Sequence, residues 1–509
     1  MAIIGGGSTA FSLSGFPMKA FANPILNIKS YDGKILVVVQ LKGGNDGLNT
    51  IIPFEDDLYY RNRPTLAIPK TDIVPITNTI GFHPNMSPLK SIFDDGKMSI
   101  IQNVGYENQN RSHFRSTDIW LTASDVDKYY SDGWLGRTLE NKYPTYPETI
   151  PDQPMAVEIG SNQSLILESQ HGGMGVSFDD PSTFSSLLKD SSIDEEPIPD
   201  TLAGEELRFL KQVAAQSIQY ASVVKERADA GKNLVEYPSV SSGITIGKQI
   251  PLGTQLKIIA KLISGEMQTP VYVASLWGFD THAQQTDDHA SLLKEFSEAV
   301  AAFQEDMEKQ GLADKVVLVT ISEFGRRVAQ NGGLGTDHGA AAPMIVIGNS
   351  VNGGIYGNQL DLANLDPYGD LPHEFDFRQV YSTIMQNHLG MGNTATTDVL
   401  KGEFATLPFL NSLTSAKNYT PLNYELKQNY PNPFNPTTKI TYTIANSVNV
   451  SIILYDMLGR KVKTVVDKNH KPGTYSIDFR AKNNMASGTY IYQIRAGGYT
   501  ESKKMILLK

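Results

Sequence analysis

Ile35-Leu36-Val37-Val38-Val39-Gln40-Leu41, running through Lys42 into Gly43-Gly44-Asn45-Asp46-Gly47, is the stretch that decides the fold. The run is β-branched and has no helical period, so it predicts a central strand buried on both faces. Met98–Val104 is a second apolar run, leading through a polar loop to Ser112, after which His113–Ala123 reads as a helix. Gln255–Ser264 predicts an amphipathic helix, Val271–Leu276 a strand, and Ala290–Gln310 a long helix with Leu293, Phe296, Val300 and Phe303 on one face. Val316–Ile321 and Met344–Ile347 are two more buried strands. Strands alternating with helices over roughly 350 residues predict a mostly parallel α/β sandwich, whose active site gathers at the strands' carboxyl ends.

The chain has 509 residues, of which 40% are hydrophobic and 19% charged, a composition that excludes global disorder and a collagen-like fibre. No apolar run reaches the ~18 residues of a membrane span, so no integral span is expected. With no cysteine, disulfides, Cys-ligated zinc, iron–sulfur clusters and thiol nucleophiles are all excluded. Pro421–Lys509 carries 13 Lys+Arg against 5 Asp+Glu, which leaves −18 on the rest of a chain of net charge −10. So acidic a body argues against nucleic acid as a partner. At the N-terminus, Ala20-Phe21-Ala22 is a small-x-small pattern that a signal peptidase could cut before Asn23. A basic segment ahead of it is missing, and a frayed N-terminal arm is the alternative reading of residues 1–30.

Residues 31–410 read as the main body. Within it, about 143–253 is expected to form a cap or insertion, being rich in Pro and Ser around one helix at Glu205–Ala230. Residues 411–428 read as an Asn/Ser/Thr/Pro linker. From 429 to 509, short strands separated by turns such as Lys471-Pro472-Gly473 predict a small all-β sandwich.

Asn45-Asp46, Asp280-Thr281-His282 and Glu323 follow predicted strands, and Asp337-His338-Gly339 precedes one. One Asp in such a place is ordinarily a cap, and one His ordinarily a satisfied core group. Four such sites at one sheet edge are hard to explain as caps, because clustered carboxylates repel unless cations compensate them. Carboxylate with imidazole suits Zn²⁺, with Mn²⁺, Mg²⁺ or Ca²⁺ where oxygen dominates, and one or two divalent ions are expected. Ser112 would stand at a helix N-terminus, either as a plain N-cap or as a nucleophile beside Arg111, with Arg326 a second guanidinium suited to a tetrahedral oxyanion.

Leu41–Asn49 (LKGGNDGLN), Asn110–Asp118 (NRSHFRSTD), Gly278–His282 (GFDTH), Ser322–Arg326 (SEFGR) and Gly335–Gly339 (GTDHG) together resemble the domain-of-unknown-function 1501 family, within the alkaline phosphatase and sulfatase-like superfamily. The resemblance spans roughly Ile35 to Gly390 and implies an alkaline phosphatase-like three-layer sandwich with a mostly parallel sheet. It further implies that Asp46 bridges two ions, that Ser112 is the nucleophile, and that Asp280, His282 and His338 ligate one metal. Glu323 stands where the superfamily usually offers an Asp-His pair. Phe324 replaces that His, leaving Asp337 or His113 as substitutes at a second metal position. The tail, from Asn429-Tyr430-Pro431-Asn432-Pro433-Phe434 through Gly488-Thr489-Tyr490 to Lys503-Lys504, is similar to type A sorting domains of the type IX secretion system. That resemblance implies the type IX machinery as a partner and a route through the periplasm to the cell surface or medium. The expected activity is a metal-dependent hydrolase of phosphate or sulfate esters, with a sulfated or phosphorylated polymer as possible substrate. The rivals are a non-catalytic polymer-binding protein on the same fold and a phosphomutase-type transfer enzyme, which the implied export disfavours.

Overall fold

The computed structural model describes residues 33–147, 149–188, 217–239, 249–411 and most of 424–508, with two short strands at Phe11–Leu13 and Phe16–Met18. The signal cleavage site before Asn23, the first part of the helix expected at 205–230 and most of the linker lie outside the described residues. The chain divides into two units, Met1–Leu413 and Thr414–Lys509.

The first unit is built on one nine-stranded sheet. In chain order its strands are β1 (Ile35–Lys42), β2 (Met98–Gly105), β3 (Ala156–Ile159), β4 (Val176–Phe178), β5 (Val271–Trp277), β6 (Val316–Ile321), β7 (Ala342–Ile347), β8 (Gly354–Tyr356) and β9 (Phe375–Asp376). The spatial order is β4-β3-β5-β1-β6-β7-β2-β8, with β9 also on β2. Every pairing is parallel except the two made by β7. β1 is central, and its residues Leu36–Val39, all aliphatic, are completely buried.

Val37, Val39 and Leu41 share one core with Leu256 and Ile259 of α3 (Leu252–Ser264) and Phe296, Val300 and Phe303 of α4 (Gln285–Lys309). On the other face, Thr117, Trp120 and Leu121 of α1 (His113–Thr122) line a small cavity with Gln40 and Ile321. Trp120 and Tyr381 of α5 (Phe377–Asn387) extend this layer, with the Tyr381 ring stacked on Trp134 at 4.2 Å between centroids. Helices therefore cover both faces of a mostly parallel sheet, the three-layer α/β sandwich expected.

Two features differ from the sequence reading. α4 starts at Gln285, five residues ahead of the predicted Ala290, because its first turn is polar and its apolar stripe begins later. The stretch expected to be a cap from 143 also supplies β3 and β4 to the main sheet, β3 pairing onto β5 and β4 onto β3. β3 has only four residues and one of them is Glu158, buried by accepting hydrogen bonds from Ser164 N and Oγ, so its pattern did not read as a strand.

In the second unit, two antiparallel sheets share one core. Strands β10 (Glu425–Leu426), β11 (Thr437–Ile444) and β14 (Gly473–Arg480) form one, in the order β10-β11-β14. The other runs β13 (Lys461–His470), β12 (Val448–Asp456), β15 (Gly488–Ala496), β16 (Tyr499–Leu507). Ile440 and Tyr442 face Ile452, Leu454, Tyr492 and Ile494 within that core, as the period-2 alternation of these strands requires.

His83, His289 and His388 are buried in the first unit, and burial pushes their pKa values down to about 4, 3 and 4 from 6.5. They are held neutral: His289 Nε2 donates to Asn45 Oδ1 and His388 Nε2 to the Ile35 carbonyl. Because the folded pKa values are depressed, their contribution to stability is full above pH 6.5 and is lost as pH falls below it. At pH 5.5 each costs about 1.4 kcal/mol, so a fall of up to about 4 kcal/mol from pH 7.5 is expected in denaturant unfolding with chelator present, partly offset by His113, whose pKa Glu323 raises. An unchanged midpoint would show that these imidazoles are already charged in the fold.

Candidate metal centre

The carboxyl ends of β1, β2, β5 and β6 and the start of the antiparallel β7 lie on one edge of the sheet, and the loops leaving that edge carry the site. After β1, Gly43 adopts φ +121° and lies so close to the β5 loop that an added Cβ would sit 2.4 Å from Asp280 N. Gly44, at φ +79°, leaves room for the Phe324 ring, which an added Cβ would meet at 2.3 Å. The Gly278 and Phe279 amides both donate to the Lys42 carbonyl, and Phe279 is completely buried, so Asp280 is anchored against the first loop. A β-bridge between Arg326 and His338 then joins the SEFGR and GTDHG segments.

Asp280 Oδ1 is the focus. His282 Nε2 lies 3.1 Å from it, His338 Nε2 3.2 Å and His113 Nε2 3.3 Å, while Arg326 donates to it at 2.8 Å. His282 and His338 bring their Nε2 atoms within 2.8 Å of one another. The segment Asp280–His282 is a tight turn, since His282 N donates to the Asp280 carbonyl at 3.2 Å. Burial pushes the Asp280 carboxyl up, but the Arg326 guanidinium and His338 outweigh it and hold the pKa at about 2.

Each imidazole is oriented through its other nitrogen. His338 Nδ1 donates to the Arg111 carbonyl at 2.7 Å, His113 Nδ1 to Glu323 Oε1 at 2.9 Å, and His282 Nδ1 faces Asp337 Oδ1 at 3.4 Å. All three partners accept only, so each Nδ1 carries a proton, and a ring that is neutral then presents its Nε2 lone pair. Glu323 is fixed in turn by the Gly43 amide at 2.8 Å. The Phe324 ring, centred 4.4 Å from the His338 ring and 4.9 Å from the His113 ring, forms the apolar wall behind them.

His113 Nε2 is a buried atom with no hydrogen-bond partner, and the facing His282 and His338 Nε2 atoms cannot both direct a proton at one another. A cation resolves both problems. His113, Asp280 and His338 offer ligand atoms within 4.8 Å of one another, a donor set that fits a divalent metal. Of the residues singled out in the sequence, Asp280, His282 and His338 therefore meet, with Glu323 and Asp337 as orienting partners and His113 completing the group.

The others are placed differently. Asp46 is fully buried and accepts from both Arg63 Nη atoms, at 2.5 and 3.0 Å, from Gln285 and from Leu48 N. Burial raises its carboxyl, and Arg63 outweighs this and holds it below the usual range. Arg326 spends its guanidinium on Asp280 and the carbonyls of Gly43, Gly44, Phe279 and Thr336. Arg111 is paired with Asp366 and Asp370 and packs against the Tyr368 ring. Ser112 is exposed at the N-cap position of α1, yet its side chain makes no capping bond. Arg63 and Arg327 were not singled out. Arg63 lies 17 residues from Asp46 in a segment with no motif of its own, whereas Arg327 directly follows SEFGR.

Residues 260–404 match the family described as protein of unknown function (DUF1501). That stretch contains GFDTH, SEFGR and GTDHG, while LKGGNDGLN and NRSHFRSTD lie ahead of it. Residues 428–508 match the secretion system C-terminal sorting domain, which makes this a secreted or cell-surface protein. Among the described residues no helix is long and apolar enough to cross a membrane. No curated protein matches the chain.

Among solved structures, the chain is similar to a protein in the alkaline phosphatase superfamily from Vibrio parahaemolyticus, with 9% identity over 85% of this chain and 82% of that one, at a TM-score of 0.34. It is also similar to a Bacteroides thetaiotaomicron "4S-sulf" protein described with the metabolism of multiple glycosaminoglycans, with 9% identity over 85% and 89% and a TM-score of 0.36. Similarity to latent PorU of Porphyromonas gingivalis covers 17% of this chain and spans 9% of that one, with 20% identity and a TM-score of 0.15.

Proposed function

We propose that the chain is a surface-delivered, metal-dependent hydrolase of phosphate or sulfate esters, its ion held by Asp280, His338 and His113 with His282 beside them. The observation that carries this reading is the convergence of three Nε2 atoms on Asp280 Oδ1 while every Nδ1 is held by an acceptor. A nitrogen-rich set suits Zn²⁺ better than the oxygen-seeking Mg²⁺ or Ca²⁺. Such an ion supplies Lewis acidity toward an ester oxygen.

Ser112 supplies the nucleophile. Its exposed hydroxyl stands between Arg111, whose carbonyl holds His338, and His113 itself. Its oxygen forms the new bond to phosphorus or sulfur, its proton goes to the departing alcohol, and water then cleaves the serine ester to release phosphate or sulfate, while the free N–H groups at the start of α1 favour the anionic group. With Arg111 and Arg326 committed to internal partners, Arg327 is the guanidinium left for the ester's oxygens. Its side chain is 39% exposed and reaches Asp370 only at 3.8 Å.

Ser112→Ala should keep the metal and lose turnover of aryl phosphate or sulfate esters. A variant as active as the parent would leave Ser112 as a cap position only. The commitment of Arg111 and Arg326 also favours a second reading, a protein that binds an anionic polymer without cleaving it. Polymer binding with no turnover by the parent, across a panel of metals and esters, would decide for that reading.

Removal of everything after about Tyr424 should leave a folded, metal-binding body, because the two units have separate cores. In a host with type IX secretion the shortened protein should stop in the periplasm. Its appearance at the cell surface on fractionation would show that the tail is not the address.

A further inference from the structure

We infer that the centre takes a single ion, because the Arg63 guanidinium already stands as the positive charge beside Asp46, the residue a second ion would need as its bridge. The inference rests on the metal reading above and limits it to one position. Arg63 is completely buried and all five of its N–H groups are spent. Nε donates to the Val328 carbonyl, Nη1 to Asp46 Oδ2 and Asn49 Oδ1, and Nη2 to Asp46 Oδ1 and the Arg327 carbonyl.

Asp46 is spent in the same way. Oδ1 accepts from Arg63 and from Leu48 N, and Oδ2 from Arg63 and from the Gln285 amide, so no lone pair is left to point at an ion. Gln285 cannot turn its oxygen toward Asp46 in place of its amide, because that oxygen accepts from Thr336 Oγ1 at 2.6 Å. Asn49 Oδ1, which shares Arg63, also accepts from Tyr59 at 2.8 Å. An ion at Asp46 would have to displace a charged group from a dry pocket and take the oxygens that now accept from four donors, each a penalty of its own. Asp46 therefore acts as the anchor of a permanent internal cation under these loops, and Arg63 ties Asp46 to the segment after β6 through the carbonyls of Arg327 and Val328.

The test is a count. The full chain, loaded with Zn²⁺ and dialysed against metal-free buffer, should hold one zinc per chain by elemental analysis. Two zinc ions would overturn the inference and leave the metal reading standing. None would overturn both. The paired variant Asp46→Asn with Arg63→Gln, in which both charges go together, should still hold one zinc. Loss of that ion with an unchanged near-UV circular dichroism spectrum would make Asp46 a ligand and overturn the inference. If the paired variant fails to fold, the count on the unaltered chain still decides.

Discussion

Arg63→Ala is expected to destabilise the first unit by about 3–5 kcal/mol, because it strands Asp46 as a buried charge without its partner. Both side chains are completely inaccessible to solvent, so no water replaces the guanidinium. Asp46→Asn should cost a similar amount, leaving Arg63 unpaired instead. The paired neutral variant Asp46→Asn/Arg63→Gln should be much less damaged than the sum of the two, since removing both charges avoids the penalty that either removal creates. Denaturant unfolding of the four proteins gives the cycle. Additive losses would mean that the two side chains do not depend on one another.

The second large effect is expected at the candidate metal centre. Asp280→Asn should release the ion and stop ester turnover, because it removes the charge on which three imidazoles converge. Glu323→Gln should weaken metal binding by about 10–100-fold without touching the ion, since Glu323 acts by holding the His113 proton on Nδ1. A zinc titration monitored with a chelating dye separates the two. Wild-type affinity in both variants, with the fold intact, would place the metal somewhere other than this cluster.

The sheet edge where these residues meet was legible because the motif loops follow runs too apolar and too β-branched to be anything but buried strands. Ile35–Leu41, Val271–Leu276 and Val316–Ile321 have no amphipathic period, and a doubly covered parallel sheet is the arrangement that buries both faces of such strands. Asp280, His282 and Glu323 were found from their position just beyond those strand ends, and His338 from its place just ahead of the strand at Met344–Ile347. β3 was missed because a four-residue strand carrying Glu158 has too short a pattern to show a period.

The local sequence therefore determined the body's α/β layering, the antiparallel tail and the group of loops that hold the candidate centre, since these depend on hydrophobic periodicity and on residues a few positions apart. Which side chains touch was decided only by the tertiary structure. Whether a carboxylate meets an imidazole or a guanidinium depends on which loops the sheet order makes neighbours, and that order sets β1 between β5 and β6. Asp46 and Asp280 are alike in sequence, each an acid just past a buried strand. Packing brings Arg63 against Asp46 from 17 residues away, while Asp280 receives His113 and His338 from loops far along the chain. A buried carboxylate must find a compensating charge, and the nearest one in space, not in sequence, settles whether it becomes half of an ion pair or the focus of a metal centre.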